Sequence, residues 1–161
     1  MDRAKLVNTP FATHFRLSVK HSPSTKKEKE EMHKVYYSSD MGSLKYAMVC
    51  TRPDLVYVVG TVSQFLFNPG REHWNTVRWI MRYLCGSSNL KLCFDNEKLV
   101  LVGYTDSDVT EDINSRRSTS CYLITYTWGV VAWQSRLQKC VALSTTELEF
   151  IATTEACKEM L

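Results

Sequence analysis

The sequence predicts an α+β chain: a helical first half over residues 25–88, then an antiparallel strand meander closed by one helix over residues 89–161. Three observations predict it. Apolar residues recur at helical spacing from Leu55 to Phe65 and again from Trp74 to Leu84. Beyond Gly86 the period falls to two in NLKLCFD, LVLVGYT, STSCYLITY and GVVAWQS. Residues 142–161, ALSTTELEFIATTEACKEML, then return to a helical pattern.

The elements follow in order. Residues 1–24 read as an irregular polar segment. Thr25 with Glu28 three positions later is a capping-box pattern, so a short charged helix opens there. SDMGSLKYAMVC follows, and Pro53 suits the first turn of the next helix, where its missing N–H costs nothing. Leu55, Val58, Val59, Val62 and Phe65 share a face, with Gly60 weakening the pattern. NPG at 68–70 is a breaker. REHWNTVRWIMRYLCG then places Trp74, Val77, Ile80, Met81 and Leu84 on one side and ends at Gly86. Arg71, Arg78 and Arg82 fall on or beside the opposite side, a solvated face or a contact for a nucleic-acid backbone. Past the strands NLKLCFD and LVLVGYT, the pair STSCYLITY and GVVAWQS turns around Thr127–Trp128–Gly129.

Bulk composition narrows the functional classes. The chain has 161 residues, 44% hydrophobic and 11% aromatic, enough for the packed core of one domain or parts of two. A net charge of +3 does not by itself identify a polyanionic partner, because affinity depends on where cations cluster. No apolar run approaches the roughly 18 residues that span a bilayer, so no membrane partner is expected. MDRAKLVNTPFATHF has no apolar secretory core, so an intracellular location, cytoplasm or nucleus, is expected. Cys50, Cys85, Cys93, Cys121, Cys140 and Cys157 are scattered without a CxxC pair and read as reduced thiols. The four histidines, His14, His21, His33 and His73, form no pair at metal-ligand spacing.

Chemistry concentrates in the second half. GYTDSDVTED, residues 103–112, packs four carboxylates directly after an apolar run. Either the strand ends in an Asp-rich turn, or its end holds a cation. Ser144 with Glu147 is a second capping box, which gives Glu147 a structural role. Glu149 has no capping role. It stands in the first turn of the last helix near the border of its apolar side, where exposure at the positive helix end and a position against the sheet both remain open.

The blocks VCTRPDLVYVVGTVSQFLFNPGREHWNTVRWIMRYLCG, LVGYTDSD, SRRSTSCYL and WQSRLQKCVALSTTELEFIA, in this order, resemble the Pol polyprotein of copia-type LTR retrotransposons from about Lys5 to Leu161. The resemblance implies that residues 25–88 follow the reverse transcriptase as a connection-like segment. It implies that residues 89–161 begin a ribonuclease H-like α/β domain, truncated after its strand meander and first helix. Asp106 then matches the first catalytic aspartate and Glu149 the catalytic glutamate, both as metal ligands. Asp108 is a secondary acidic position. The implied cofactor is Mg²⁺ or Mn²⁺, and the implied partner is an RNA–DNA hybrid, with Arg116, Arg117, Arg136 and Lys139 as candidate backbone contacts. The reaction is a hydrolysis in which metal ions activate water and neutralise the scissile phosphate.

Departures from the pattern accompany the likeness. The family's further aspartate, in a stretch resembling YCDNQSA, and the YxDD-type polymerase aspartates have no counterpart in these 161 residues. Cys121 and Glu111 replace small residues, LEF replaces AEY at Leu148–Phe150, and Trp128 enters a turn that is usually Gly-rich. The expectation is little or no turnover alone, no polymerase activity, and an unpaired sheet edge open to self-association. A second expectation, from another class, is a non-enzymatic interaction protein. RYLC at 82–85 resembles a degenerate RxLR motif of secreted effectors that plant pathogens send into host cells, although the motif falls inside an expected helix.

Overall fold

A computed structural model describes residues 5–12, 15–94, 100–108 and 117–161. The chain divides into two compact units, residues 1–90 and 91–161. Among the described residues the architecture is mixed α+β, with five α-helices and a three-stranded antiparallel sheet.

The first unit is helical. α1 spans Lys26–His33, and its Thr25 capping box forms: Glu28 N–H donates to Thr25 Oγ1, and Thr25 N–H donates to the Glu28 carboxylate. Those bonds to backbone N–H groups, led by that of Thr25, hold the Glu28 carboxyl below its ordinary range. α2 covers Tyr37–Cys50, α3 Val56–Ser63 and α4 Arg71–Gly86. The helix expected from Pro53 is divided: Pro53–Leu55 forms a 3₁₀ turn before α3 begins. Arg52 explains the division. Its guanidinium grips Asp54 through Nε at 2.9 Å and Nη2 at 2.7 Å, which favours a tight turn over the next residues.

That ion pair is the centre of a network. Arg52 also donates to Ser87 Oγ at 2.6 Å and to the Ser87 carbonyl, while the Tyr83 hydroxyl donates to Asp54 at 2.7 Å. The start of the 53–63 segment is thereby tied to the end of α4. Burial pushes the Asp54 carboxyl up, but the bonds from Arg52 and Tyr83 outweigh it and leave the group below its ordinary range. Tyr37, Met41, Leu44, Leu55, Val58, Val59, Val62, Val77 and Ile80 fill the core beside this network. Phe65, though past α3, remains buried, stacked on His73 with ring centroids 4.0 Å apart. His73 Nδ1 accepts the Gly70 N–H at 2.8 Å, and burial lowers the His73 pKa, which keeps that acceptor neutral.

The second unit is a meander with one helix. β1 (Leu101–Asp108), β2 (Thr119–Tyr126) and β3 (Gly129–Leu137) pair in chain order, and α5 (Thr145–Met160) packs on the sheet. Two expectations are corrected. No strand forms over residues 89–94; Leu90 and Phe94 stand exposed, because alternation alone stabilises nothing without a paired neighbour. And β1 does not stop at Thr105: it runs through Asp108, so Asp106 and Asp108 are strand residues rather than turn residues. The expected DNEK turn, Glu111 and Asp112 lie outside the described residues.

A Cβ built on Gly103 would lie 2.9 Å from Met160 Sδ, so the Gly103, Thr105 and Ser107 side of β1 faces α5. The partners of those residues, Ile124, Tyr122 and Ser120, share that face, and Ile124 and Ser120 are buried. Val102, Tyr104, Asp106 and Asp108 therefore belong to the opposite face. A register shift at Ile124/Thr125 bends the β2–β3 pair.

The β2–β3 turn is strained. Thr127 and Trp128 have φ of 47° and 67°, the left-handed pair that a two-residue hairpin demands but that a β-branched and a bulky residue resist. Replacing Thr127–Trp128 with Asn–Gly is expected to stabilise the second unit by about 1–2 kcal/mol. The check is a rise in the urea midpoint of the double variant with its slope unchanged.

Candidate functional site

The acidic end of β1 and the start of α5 carry the candidate chemistry. α5 begins where the sequence places its cap: Glu147 N–H donates to Ser144 Oγ at 3.2 Å, and the Glu147 carboxylate accepts the Leu143 N–H at 2.8 Å. Glu147 is thus engaged with the backbone. Leu148 and Ala152 are buried against the sheet, whereas Glu149 and Phe150 are exposed.

One residue that sequence reasoning missed fixes this end of the unit. Gln138, 1% exposed, follows β3. Its Nε2 donates to Ser120 Oγ at 2.6 Å and to the Leu148 carbonyl at 3.3 Å. Its backbone N–H donates to the Ser118 carbonyl at 2.8 Å. Ser120 lies opposite Ser107, the residue after Asp106. Gln138 therefore holds the first turn of α5 level with the acidic end of β1. Its Oε1 has no hydrogen-bond partner among the described residues.

Asp106 is exposed, pairs with Cys121 across β1–β2, and lies on the sheet face turned away from α5. Glu149 is exposed on the helix that covers the other face. The two are near the same end of the unit, on opposite faces. Neither side chain forms a hydrogen bond or ion pair with another described residue. Among the described residues no group of three or more His, Cys, Asp or Glu is arranged to hold a metal ion.

The cationic candidates are placed unevenly. Arg136 is bound to Glu155 of α5 at 2.6 Å, an ion pair across the helix–sheet interface. Glu155, Glu159 and Arg136 also surround Tyr122; burial first, then the Glu159 carboxylate, raises its phenol pKa. Lys139 follows Gln138 at the end of the meander, Arg117 precedes β2, and Arg116 lies outside the described residues. Arg82 of the RYLC stretch lies within α4, where its Nε donates to the Lys5 carbonyl at 2.6 Å. No helix among the described residues is long and apolar enough to cross a membrane.

Comparison with known proteins defines the class as polyprotein sequence of a mobile element. The retrovirus-related Pol polyprotein from transposon TNT 1-94 of Nicotiana tabacum is 56% identical over 161 residues, all of this chain and 12% of that protein. The retrovirus-related Pol polyprotein from transposon RE2 of Arabidopsis thaliana is 33% identical over 158 residues, 98% of this chain and 10% of that protein. The chain thus spans only about a tenth of the length of these Pol relatives. It belongs to the Pol family of copia-type LTR retrotransposons. A relative close to its own size, the secreted RxLR effector protein 161 of Plasmopara viticola, is 44% identical over 129 residues, 80% of this chain and 91% of that protein. No protein-family profile matches the chain, and no solved structure matches it.

The Gln138 bridge yields a direct test. Gln138→Leu removes both side-chain hydrogen bonds together with the unpaired Oε1, so the expected loss is about 1–2 kcal/mol of stability. Hydrogen exchange should show the first turn of α5 losing protection before the β2–β3 ladder does.

Proposed function

We propose that residues 91–161 form a ribonuclease H-like unit of a retrotransposon Pol protein. In this reading Asp106 and Glu149 occupy the positions of a divalent-metal site that serves the cleavage of RNA in RNA–DNA hybrids but do not complete one, and this chain alone turns over little or no substrate. The observation that carries it is the Gln138 bridge, which sets the glutamate-bearing helix turn level with the aspartate-bearing strand end.

The donors fit Mg²⁺ or Mn²⁺ by type, since hard cations take carboxylate oxygens. They do not fit by number. Two carboxylates leaving opposite faces of a sheet cannot surround a pair of ions, and the described residues gather no third donor with them. When bound, such ions activate water and neutralise charge on the phosphate. What the chain itself supplies is one acid on each face of this end of the sheet, with Arg117, Arg136 and Lys139 in the adjoining segments and Arg116 next in sequence, to meet a nucleic-acid backbone. In an RNA–DNA hybrid cleavage assay with Mg²⁺ or Mn²⁺, the expected result is no cleavage above background. Robust cleavage lost in Asp106→Asn would overturn the inactive half of the proposal and keep its assignment of Asp106.

A second reading rests on the similarity to the RxLR effector, a curated protein that this chain nearly spans. In it the chain is a non-enzymatic interaction protein exported to a host cell. Arg82 weighs against a translocation role: it sits in a helix beside the buried Tyr83, and its guanidinium lies 5.3 Å over the Trp79 ring. We expect the intact chain to stay inside the producing cell. Its detection outside, with host entry abolished by Arg82→Ala, would favour the effector reading instead.

A further inference from the structure

We infer that the outward face of α4 is a contact surface for the phosphodiester backbone of nucleic acid. The choice of nucleic acid among polyanions rests on the Pol reading; the location rests on the molecule. The net charge of +3 conceals a division. Residues 1–90 hold 13 Lys and Arg against seven Asp and Glu, whereas residues 91–161 hold seven against ten. A phosphate backbone is therefore attracted to the helical unit and repelled by the sheet unit as a whole.

Within the helical unit the cations form a row. α4 buries His73, Thr76, Val77, Ile80 and Tyr83, which leaves Arg71, Asn75, Arg78 and Arg82 to line its other side at spacings of four, three and four residues. Arg71 and Arg78 are exposed, and neither is ion-paired among the described residues. Arg78 and Arg82 stand about 6 Å apart along the axis, on the scale of successive phosphates in an extended strand. This contrasts with the sheet unit, where Arg136 is committed to Glu155.

The row borders a shallow pocket of about 350 Å³ lined by Phe15, Glu72, Asn75, Arg78, Trp79 and Arg82. Phe15 and Trp79 meet edge to face at 5.7 Å, and Trp79 Nε1 donates to the Thr9 carbonyl at 2.9 Å, which fixes the indole. The Arg82 guanidinium lies over the Trp79 ring, so within this pocket Arg78 is the guanidinium left to meet a phosphate, with the fixed aromatic pair beside it as an apolar contact for an unpaired base. Glu72 is the one carboxylate among these six residues, and it disfavours a densely charged ligand deep in the pocket while leaving the outer row open. Backbone contacts of this kind bind without regard to sequence and weaken steeply with salt.

The test is fluorescence anisotropy of the full chain with a labelled RNA–DNA hybrid and a labelled single strand across a salt series. Arg71→Gln/Arg78→Gln spares Arg82, which holds Lys5. That variant should bind more weakly and lower the slope of log affinity against log salt by about two. Lys26→Gln/Lys27→Gln, two exposed lysines of α1 away from the row, should leave the slope unchanged, with circular dichroism confirming that both variants fold. An unchanged slope in the α4 variant overturns the inference. So does polyglutamate competing as well as nucleic acid, or a wild-type chain that binds neither probe at low salt. If Arg136→Gln/Lys139→Gln loses binding while the α4 variant does not, the α4 surface fails and the ribonuclease H-like reading of the sheet unit stands.

Discussion

The sheet unit depends on one buried amide. α5 brings a modest apolar seam, Leu148, Ala152 and Ala156, to a three-stranded sheet. Small side chains such as these bury little area, so the seam alone specifies the helix position weakly. Gln138 adds direction. Its donors reach a strand hydroxyl and a helix carbonyl together, which fixes both the height of α5 along the strands and the end of the sheet at which its glutamates emerge. Arg136 with Glu155 repeats the constraint further along the helix, as an exposed pair worth less in water. The helical unit shows the same device on a larger scale, with Arg52, Asp54, Tyr83 and Ser87 joining segments far apart in sequence beside an apolar core. In each unit apolar burial supplies the bulk of the attraction and one polar bridge sets the geometry.

The parts of this architecture legible in the sequence are those encoded locally. α4 was readable because a breaker, an apolar stripe of period 3.6 and a terminal glycine agree over sixteen residues. The α1 and α5 caps were readable because Ser or Thr and a Glu three positions on interact within one turn. NLKLCFD carries an equally plain pattern and forms no strand over its described residues, since pairing depends on a distant partner. The extension of β1 through Asp108 was hidden for a related reason: its ladder with Thr119 is long-range, and it overrides the turn preference of aspartate.

The candidate site was legible in its residues and not in its geometry. Sequence order singles out Asp106 and Glu149, but the side of the sheet each occupies depends on strand alternation relative to α5. That became readable only through Gly103 and Met160. Gln138 left no signal at all. It is one polar residue in SRLQKC, and its burial arises entirely from packing against residues 10 and 18 positions away. The Arg136–Glu155 pair was hidden in the same manner, since the two residues lie 19 positions apart.

The Thr127–Trp128 turn bears on the order in which the meander assembles. Hairpins usually close from a compliant turn, because the shortest loop costs the least entropy. Here that first step is uphill, so the turn is a poor nucleus. The opposite end of β2–β3 offers the Ser118–Gln138 backbone bond and the Gln138 amide, contacts that α5 must be present to complete. The zipper is thus biased to run backwards, from the helix-bearing end toward the turn, with the left-handed residues accepted last. A chain that folds this way waits for its final helix before its sheet becomes stable.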